Sequence, residues 1–380
     1  MRRRITALAI LAIAALVVVT AATARTDADT GVGRYIVVLK PGVTARAVAN
    51  EHAAAHAATI SFVYSHALSG YAATIPNARL AAIRADKRVD YVEPDGEMSA
   101  VAQTVPYGIV KIGADVSSTR AGDGIGAVSN VNAYIIDTGI DAAHTDLNVV
   151  GHVNFAGGPN RDCHGHGTHV AGTVAAKDNG IDVVGVAPGA PLTGVKVLGC
   201  NGSGSNSGVI AGIDWVTANA VKPAVANMSL GGGVSQAIDD AVRRSAASGV
   251  FYALAAGNDG ADACSHSPAR AGAGTNNGIM TVGATDSADK EASFSNYGTC
   301  VDIWAPGVSV LSTRKGGGTT TMSGTSMASP HGAGGGALYL STSAGASPSS
   351  VESALKSAAQ TPGTKSKDSR SITREYVGGF

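Results

Sequence analysis

Ser326 lies in the segment 323–331, Ser-Gly-Thr-Ser-Met-Ala-Ser-Pro-His, where the pattern predicts the beginning of a helix. Backbone N–H groups at a helix N-terminus point outward and stabilise anions, including the oxyanion of an acyl-transfer reaction. An isolated match of this kind is more often an ordinary Ser or Thr helix cap. The serine is therefore a candidate nucleophile whose assignment depends on finding a base and a second oxyanion donor elsewhere in the chain.

Three histidines, His164, His166 and His169, lie within six residues of one another. They could bind a metal, but catalytic zinc usually has a third ligand and a positioned base, and the spacing does not match H-E-x-x-H. The alternative is one catalytic histidine at a helix start, with Gly165 and Gly167 allowing neighbouring backbone to approach closely.

Two polar side chains follow apolar strands. Asp137 ends the strand-like run Ala-Tyr-Ile-Ile before Thr138-Gly139, and Asn258 follows Leu-Ala-Ala-Gly. Asp137 could be half of an aspartic protease site, which needs a second Asp-Thr/Ser-Gly copy that is absent, or it could cap a turn. Asn258 could be an ordinary turn residue, or its amide could donate to an oxyanion, a contribution of about 3–4 kcal/mol.

The elements around these residues alternate between apolar strands and helices from about residue 102 onward. This alternation predicts an α/β fold, a parallel sheet with helices on both faces. Ligands of such sheets bind at the carboxyl ends of the strands, where Asp137, Ser229 and Asn258 lie. The polar tail at 363–370 is expected to be loose. The predicted strands are 132–136, 192–198, 224–230, 250–255 and 279–284, and the predicted helices are 166–176, 208–220 and 234–248.

The first hundred residues have a different organisation. Arg2 to Arg4, an apolar run and Ala22-Thr23-Ala24 are typical of a signal peptide, and the run is rather short for a membrane anchor, the competing interpretation. A β-α-β-β-α-β order from about 34 to 92 predicts a small α+β, ferredoxin-like unit. We therefore divide the chain into a signal peptide (1–24), a small domain (25–101) and a main domain (102–380).

The composition indicates which partners the protein is not expected to bind and how its cysteines could be used. The chain has 28 basic and 28 acidic residues, so neither nucleic acid nor an anionic membrane is expected as its main partner. In an exported protein the four cysteines favour disulfides, but their spacing leaves all three pairings open. Zinc is the competing interpretation, although no C-x-x-C pair is present. The cysteines are Cys163, Cys200, Cys264 and Cys300.

Together, the four motifs around Asp137, His166, Asn258 and Ser326 resemble the subtilase family, in particular its proteinase K-like and aqualysin-like branch. The resemblance covers nearly the whole chain, with 25–101 similar to an inhibitor-type propeptide and a seven-stranded-type parallel sheet implied for the main domain. It implies that Asp137 orients His166, the first histidine of H-G-T-H, and that Ser326 forms an acyl-enzyme. Asn258 and the Ser326 N–H would bind the oxyanion.

The resemblance also implies which residues bind substrate and what kind of protein this is. Ser229, Leu230, Gly231 and Gly232 are similar to the edge strand that pairs with substrate backbone, and Ala255, Ala256 and Gly257 to a wall of the main specificity pocket. No acidic residue is evident in those segments, so we expect large apolar side chains before the cut. The implied protein is a secreted, monomeric endopeptidase that acts on proteins and peptides. Its propeptide would inhibit it and be self-cleaved near residues 99–102.

Three structural expectations follow from the same resemblance. The aqualysin pattern implies the disulfides Cys163–Cys200 and Cys264–Cys300. A structural calcium ion is implied at Asp302 with the carbonyls of Asn277 and Ile279, and no catalytic metal is implied. One feature departs from the family pattern: residues 332–336 read Gly-Ala-Gly-Gly-Gly, and each interior helix glycine costs roughly 1 kcal/mol relative to alanine.

Two other functions are compatible with parts of the sequence. The chain could be a binding or scaffold protein on an inactive protease fold, although the four motif residues are intact. It could also be a zinc hydrolase built on the three histidines. A serine-directed reagent and a chelator would distinguish these functions.

Overall fold

The computed structural model describes residues 31–95, 103–274 and 276–380. These residues form two compact units, one on each side of the gap at 96–102. The predicted signal peptide and the predicted processing region near 99–102 lie outside the described residues. No helix of the part that is described has the length and apolar character needed to cross a membrane.

The first unit is a four-stranded antiparallel sheet with two helices, and it has the β-α-β-β-α-β order that the sequence predicts. Strand β1 pairs with β3 on one side and β4 on the other, giving the sheet order β2-β3-β1-β4. Val37 lies opposite Tyr71, and both side chains are fully buried. The elements are β1 (Val32–Leu39), α1 (Ala45–His56), β2 (Thr59–Tyr64), β3 (Gly70–Pro76), α2 (Asn77–Arg84) and β4 (Val89–Pro94).

The second unit contains a seven-stranded parallel sheet with the order β11-β10-β9-β8-β5-β7-β6. This α/β architecture confirms the predicted fold class. A two-stranded antiparallel hairpin, β12 and β13, lies outside the sheet. The elements are α3 (Tyr107–Lys111), β5 (Asn132–Asp137), β6 (Val149–Asn154), α4 (His166–Ala175), β7 (Leu192–Lys196), α5 (Asn206–Asn219), β8 (Ala224–Met228), α6 (Gln236–Ala247), β9 (Val250–Ala255), β10 (Ile279–Thr285), β11 (Ile303–Pro306), β12 (Val310–Thr313), β13 (Thr319–Met322), α7 (Thr325–Thr342) and α8 (Pro348–Ala358).

Helices cover both faces of this sheet because alternate side chains of each strand point to opposite faces. In β5, Ile135 packs in the core that contains residues of α4, α7 and α8, whereas Ile136 packs in the core that contains residues of α5 and α6. Because the strands are buried on both faces, their sequences are continuous apolar runs.

Helix α7 runs through the centre of the protein, and its glycines make close packing possible. A Cβ at Gly332 would lie 2.7 Å from Met280 Cε, one at Gly334 2.5 Å from Val186 Cβ, and one at Gly336 2.5 Å from the Phe251 ring. Any larger side chain would overpack the core, which is itself destabilising by about 1–3 kcal/mol. The glycines therefore cost helix propensity but allow α7 to lie directly against the sheet.

The expectation that residues 363–370 are loose is wrong. Lys367 Nζ donates to the carbonyls of Ser293 and Ser295, at 2.8 Å each. The Arg370 guanidinium lies 5.1 Å from the centre of the Trp304 ring. Because these contacts reach residues distant in sequence, composition alone did not reveal that the tail packs against the main domain.

Two predicted strands are shorter in the structure. Strand β7 ends at Lys196 rather than Leu198, because the N–H groups of Val197 and Leu198 both donate to the carbonyl of Asp137. Strand β8 ends at Met228, so Ser229 and Leu230 lie just beyond the sheet. As a result, the backbone of residues 197–198, near Asp137, and of residues 229–230, near Ser326, does not belong to the sheet.

Candidate active site

Asp137 and His166 meet at the carboxyl end of the sheet. Asp137 is the last residue of β5, and His166 is the first residue of α4. His166 Nδ1 lies 2.8 Å from Asp137 Oδ1 and 3.0 Å from Oδ2. The Asp137 side chain is fully buried, whereas one fifth of the His166 side chain is exposed. This arrangement fixes the imidazole with Nδ1 on the carboxylate and Nε2 directed away from it.

The loops that carry this pair are held by groups that the sequence did not point to. Asp162 Oδ1 accepts hydrogen bonds from Thr138 Oγ1 and from the N–H groups of His164 and Gly165. The buried Lys196 donates from Nζ to the carbonyl oxygens of Thr138 and Leu198, at 2.8 Å each. The only local signal for the role of Asp162 was its position, since it is an acidic residue just before a histidine-rich segment.

The three neighbouring histidines have different environments. Burial lowers the pKa of His166, but the charge and hydrogen bond of Asp137 outweigh that effect and leave the pKa above its ordinary value. Burial lowers the pKa of His169 to about 4, and its Nε2 lies 3.1 Å from the carbonyl of Val310. His169 is therefore a neutral structural residue. Within the described residues, no group of three or more His, Cys, Asp or Glu is placed to hold a metal ion.

Ser326 is the second residue of α7, so its backbone N–H belongs to the unpaired donors of the helix N-terminus. Its hydroxyl donates to the carbonyl of Ser229 at 3.2 Å, while Ser229 Oγ donates to the carbonyl of Ser326 at 2.8 Å. Ser326 and His166 line the same cleft. Catalytic hydrogen bonds are often formed only when substrate is bound, so this orientation is compatible with a nucleophilic role.

A buried polar network beneath Ser326 was also missed by the sequence analysis. Asn227, in β8, donates from Nδ2 to Ser229 Oγ at 2.9 Å and accepts from Ser329 Oγ at 2.7 Å. The three groups link strand β8 to the first turn of α7. The local signal was an asparagine within an otherwise apolar strand, which would be costly to bury without partners.

Asn258 and the Ser326 N–H converge on one small space. Asn258 Oδ1 accepts from Thr325 N at 2.8 Å and from Thr325 Oγ1 at 2.9 Å, which leaves its amide NH₂ free to donate. Asn258 Nδ2 and Ser326 N both lie 3.6 Å from the position of a Cβ on Gly324. Glycine at 324 places no side chain beside these two donors, and a space next to two N–H donors suits an oxyanion.

Two adjoining cavities bring the predicted substrate-binding segments together. One, of about 520 Å³, is lined by His166, Ser326 and the segment 229–233, among others. The other, of about 390 Å³, is lined by the same segment from Leu230 onward and by residues 255–258. Gly232 N donates to the carbonyl of Ser267, another lining residue of the second cavity, at 3.0 Å, so a backbone hydrogen bond holds the segment 230–233 at this wall.

Two disulfides close loops beside these cavities. Cys163 pairs with Cys200, and Cys264 pairs with Cys300, the pairing that the aqualysin resemblance implies. The first joins the loop before His166 to the chain after β7, and His164 and Asn201 on either side of it both line the larger cavity. Bridges that close loops of this length contribute about 3–4 kcal/mol in the chain-entropy model.

The residues expected to bind calcium do not fit that ion. Lys356 Nζ lies 2.9 Å from Asp302 Oδ1 and 3.1 Å from Glu352 Oε1, so a cation already neutralises the carboxylate. The other Asp302 oxygen accepts from Thr281 N at 2.9 Å. Glu352 Oε2 accepts from the N–H groups of Asn277 and Gly278, the segment expected to offer carbonyls. The cation that neutralises Asp302 in this structure is thus the Lys356 ammonium, which also contacts Glu352.

Comparisons with known proteins agree with this geometry. The model of the "Subtilase family" matches residues 128–376, and the model of "Peptidase inhibitor I9" matches residues 34–100. The "Extracellular serine proteinase" of Thermus sp. (strain Rt41A) is 48% identical over 313 residues, 78% of this chain and 72% of that protein. Subtilisin DY of Bacillus licheniformis is 47% identical over 264 residues, 68% of this chain and 92% of that protein.

A longer relative and a solved structure extend the comparison. "Alkaline serine exoprotease A" of Vibrio alginolyticus is 46% identical over 319 residues, which are 80% of this chain but only 57% of that protein. A solved structure, "Crystal structure of a cold adapted subtilisin-like serine proteinase", is 42% identical with a TM-score of 0.62 and covers 71% of this chain and 97% of that one.

Proposed function

Because this chain belongs to the subtilase family of serine peptidases, we propose that it is a secreted serine endopeptidase with Ser326 as its nucleophile. The observation that carries the proposal is the contact of His166 Nδ1 with the buried Asp137 carboxylate, in the cleft that Ser326 also lines. Secretion is supported by the signal-like N-terminus and by a relative that is named extracellular.

The chemistry proceeds by acyl transfer. Substrate turns the Ser326 hydroxyl from the Ser229 carbonyl toward His166 Nε2, which takes its proton as the oxygen attacks the scissile carbonyl. Asp137 holds the imidazole in the required tautomer and stabilises the imidazolium. His166 then protonates the leaving amine, and water releases the acyl group by the reverse of the same steps.

The oxyanion of each tetrahedral intermediate lies between Asn258 Nδ2 and Ser326 N. Both donors are fixed before substrate arrives, one by Thr325 and the other by the helix backbone. Donors that need no reorganisation contribute most to lowering the barrier of such reactions.

Substrate backbone pairs with residues 229–232, and the side chain before the cut enters the 390 Å³ cavity. Leu230, Ala255, Ala256 and Ala269 give this cavity apolar walls. We therefore propose broad specificity with a preference for large apolar side chains.

We further propose that residues 25–101 are an inhibitory propeptide, removed by the enzyme itself from the mature domain, 102–380. The match of residues 34–100 to the inhibitor model supports this role. The mature enzyme would act as a monomer on proteins and peptides, without nucleic acid or membrane partners.

The direct test is covalent labelling of the secreted protein with a serine-directed phosphonate, followed by peptide mass mapping. We expect one label, on Ser326, with complete loss of peptidase activity, and no label on Ser326→Ala. Retention of activity after exposure to phosphonate and sulfonyl fluoride reagents would contradict the proposal. Rapid loss of activity on chelation that zinc restores would favour the zinc hydrolase instead.

A further inference from the structure

The backbone carbonyl of Ser326 cannot form the hydrogen bond that an α-helix normally gives it. In an α-helix each carbonyl accepts from the N–H group four residues later, and for Ser326 that residue is Pro330, which lies inside α7. Proline has no backbone N–H. Because a carbonyl shielded from water without a donor costs free energy, a donor from outside the helix would stabilise this turn.

Ser229 supplies such a donor. Its Oγ donates to the Ser326 carbonyl at 2.8 Å, and its own carbonyl accepts from Ser326 Oγ at 3.2 Å. Ser229 is buried and follows directly after strand β8. The end of this strand and the start of α7 are therefore joined by two hydrogen bonds, one of which fixes the peptide group that follows Ser326.

Asn227 determines the direction in which the Ser229 hydroxyl donates. Asn227 Nδ2 donates to Ser229 Oγ at 2.9 Å, so the single proton of that hydroxyl remains for the Ser326 carbonyl. Asn227 Oδ1 accepts from Ser329 Oγ at 2.7 Å, which places the amide NH₂ on the side of Ser229. Asn227 and Ser329 are both fully buried, and Asn227 lies in β8, between β5 and β9. The amide is thus held by rigid surroundings.

We propose that Asn227 is a positioning residue for the nucleophile: through Ser229 Oγ it replaces the N–H donor that Pro330 lacks. This inference rests on the proposed function. The start of α7 carries both the attacking hydroxyl and the Ser326 N–H, so a shift of this turn changes the attack geometry and the oxyanion contact together. A displacement of about 1 Å can cost about 10²-fold in rate. Because Asn227 does not line either cavity, its loss should lower kcat and leave KM nearly unchanged.

The test measures kcat and KM of Asn227→Leu and Ser229→Ala on one peptide. Each precursor is processed by a trace of tagged wild-type enzyme, which is then removed. We expect kcat to fall about 10–10²-fold in both variants, with KM within about twofold of the wild type, and phosphonate labelling of Ser326 to slow in proportion. Ser229→Ala removes a single oxygen, so it serves as the test if Asn227→Leu does not fold.

Tyr252→Phe is the matched control. It removes another buried hydrogen bond, that of the Tyr252 hydroxyl with Ser245 Oγ at 2.7 Å, from the adjacent strand β9, and Tyr252 does not line either cavity. It should lower Tm but leave kcat unchanged, which separates a loss of stability from a loss of positioning.

Pro330→Ala tests the link to the missing donor, because it adds an N–H group at the position that normally serves the Ser326 carbonyl. In this background the loss of kcat caused by Asn227→Leu should be smaller by about fivefold. Equal losses in the two backgrounds, or kcat values of Asn227→Leu and Ser229→Ala within about twofold of the wild type, would overturn the inference and leave the peptidase assignment intact. A wild type that neither cleaves peptides nor takes up the phosphonate would instead overturn the proposed function.

Discussion

His166 Nδ1 and Asp137 Oδ1 lie 2.8 Å apart, with the carboxylate fully buried and the imidazole four-fifths buried. Burial opposes a charge on the imidazole, but the carboxylate favours it more strongly and raises the pKa of His166 above 6.5. The pair therefore provides a base of raised proton affinity, and in the proposed mechanism its unprotonated form accepts the Ser326 proton.

The pH dependence of kcat/KM should follow from that pair. His166 must be neutral to act as a base, so activity should rise with pH through its raised pKa and lie to the alkaline side of an ordinary histidine. Asp137→Asn removes the stabilising charge, and we expect kcat to fall about 10⁴-fold and the rising limb to move to lower pH. A rising limb that Asp137→Asn leaves in place would show that another group controls it.

Gly324→Ala should damage the oxyanion site without removing either donor. A methyl group at this position would lie 3.6 Å from both Asn258 Nδ2 and Ser326 N, beside the space proposed for the oxyanion, and the φ of +156° at Gly324 is one that alanine rarely adopts. We expect kcat to fall about 10²–10³-fold with little change in KM, as for Asn258→Ala. The double variant should lose little more than either single one. Fully additive losses would mean that the two residues act at different places.

Self-processing can be tested with Ser326→Ala. If the enzyme cuts its own chain, the purified variant should remain a precursor that contains both the propeptide and the mature domain. Ser341→Ala, a half-buried serine of the same helix, should mature normally and serves as the control. The readouts are the intact mass and the N-terminal sequence, and a trace of active enzyme should convert the precursor. Maturation of pure Ser326→Ala would refute self-processing.

The sequence predicted those parts of the site that depend on local patterns. Asp137 and Asn258 follow apolar strands, and the motifs around His166 and Ser326 are contiguous, so local patterns indicated all four residues as candidates. The contact of Asn227 with Ser329 joins residues 102 positions apart, and that of Lys356 with Asp302 joins residues 54 apart. An asparagine in an apolar strand indicates that Asn227 has a polar partner but does not identify it, and Lys356 carries no local signal. The buried network and the misfit to calcium therefore became visible only in three dimensions.

Strand β6 and helix α7 show that parts of the fold, too, cannot be predicted from local sequence. Strand β6 lies at an edge of the sheet, where Val150 is exposed and its other residues are half-buried, and its Val-Val-Gly-His-Val-Asn sequence has no clear alternation. The glycines of α7 argue locally against a helix, but they are explained by Met280, Val186 and Phe251, which lie far away in sequence. In both cases the tertiary environment overrides local propensity.

Lys356→Met should destabilise the main domain and make it responsive to calcium. Without the ammonium, the carboxylates of Asp302 and Glu352 would keep their backbone N–H donors but lose the cation that neutralises them. We expect a cost of about 3 kcal/mol, since the lysine is 29% exposed, and a Tm about 6 °C lower for the phosphonate-inhibited enzyme. Millimolar calcium should restore part of the loss in the variant only. Calcium-dependent stabilisation of the wild type that Asp302→Asn abolishes would contradict this account.

Glu375 should make the protein less stable as pH rises. Its side chain is fully buried beside Gly335, and neither carboxyl oxygen has a hydrogen-bond partner among the described residues. Burial raises the pKa of Glu375 from 4.5 to about 8. Between those values the unfolded chain has released the proton that the folded chain retains, so unfolding becomes more favourable with each step in pH. The penalty is complete near pH 8 and absent below about pH 4.

Glu375→Gln keeps the shape of the neutral carboxyl group but cannot ionise. We expect the inhibited variant to match the wild type at pH 4 and to be more stable at pH 8 by on the order of 4 kcal/mol, about 8 °C in Tm. Asp214→Asn removes an exposed carboxyl group instead of a buried one and is the control. A parallel pH profile for Glu375→Gln and the wild type would show that Glu375 is already ionised in the folded protein, with a partner that satisfies it.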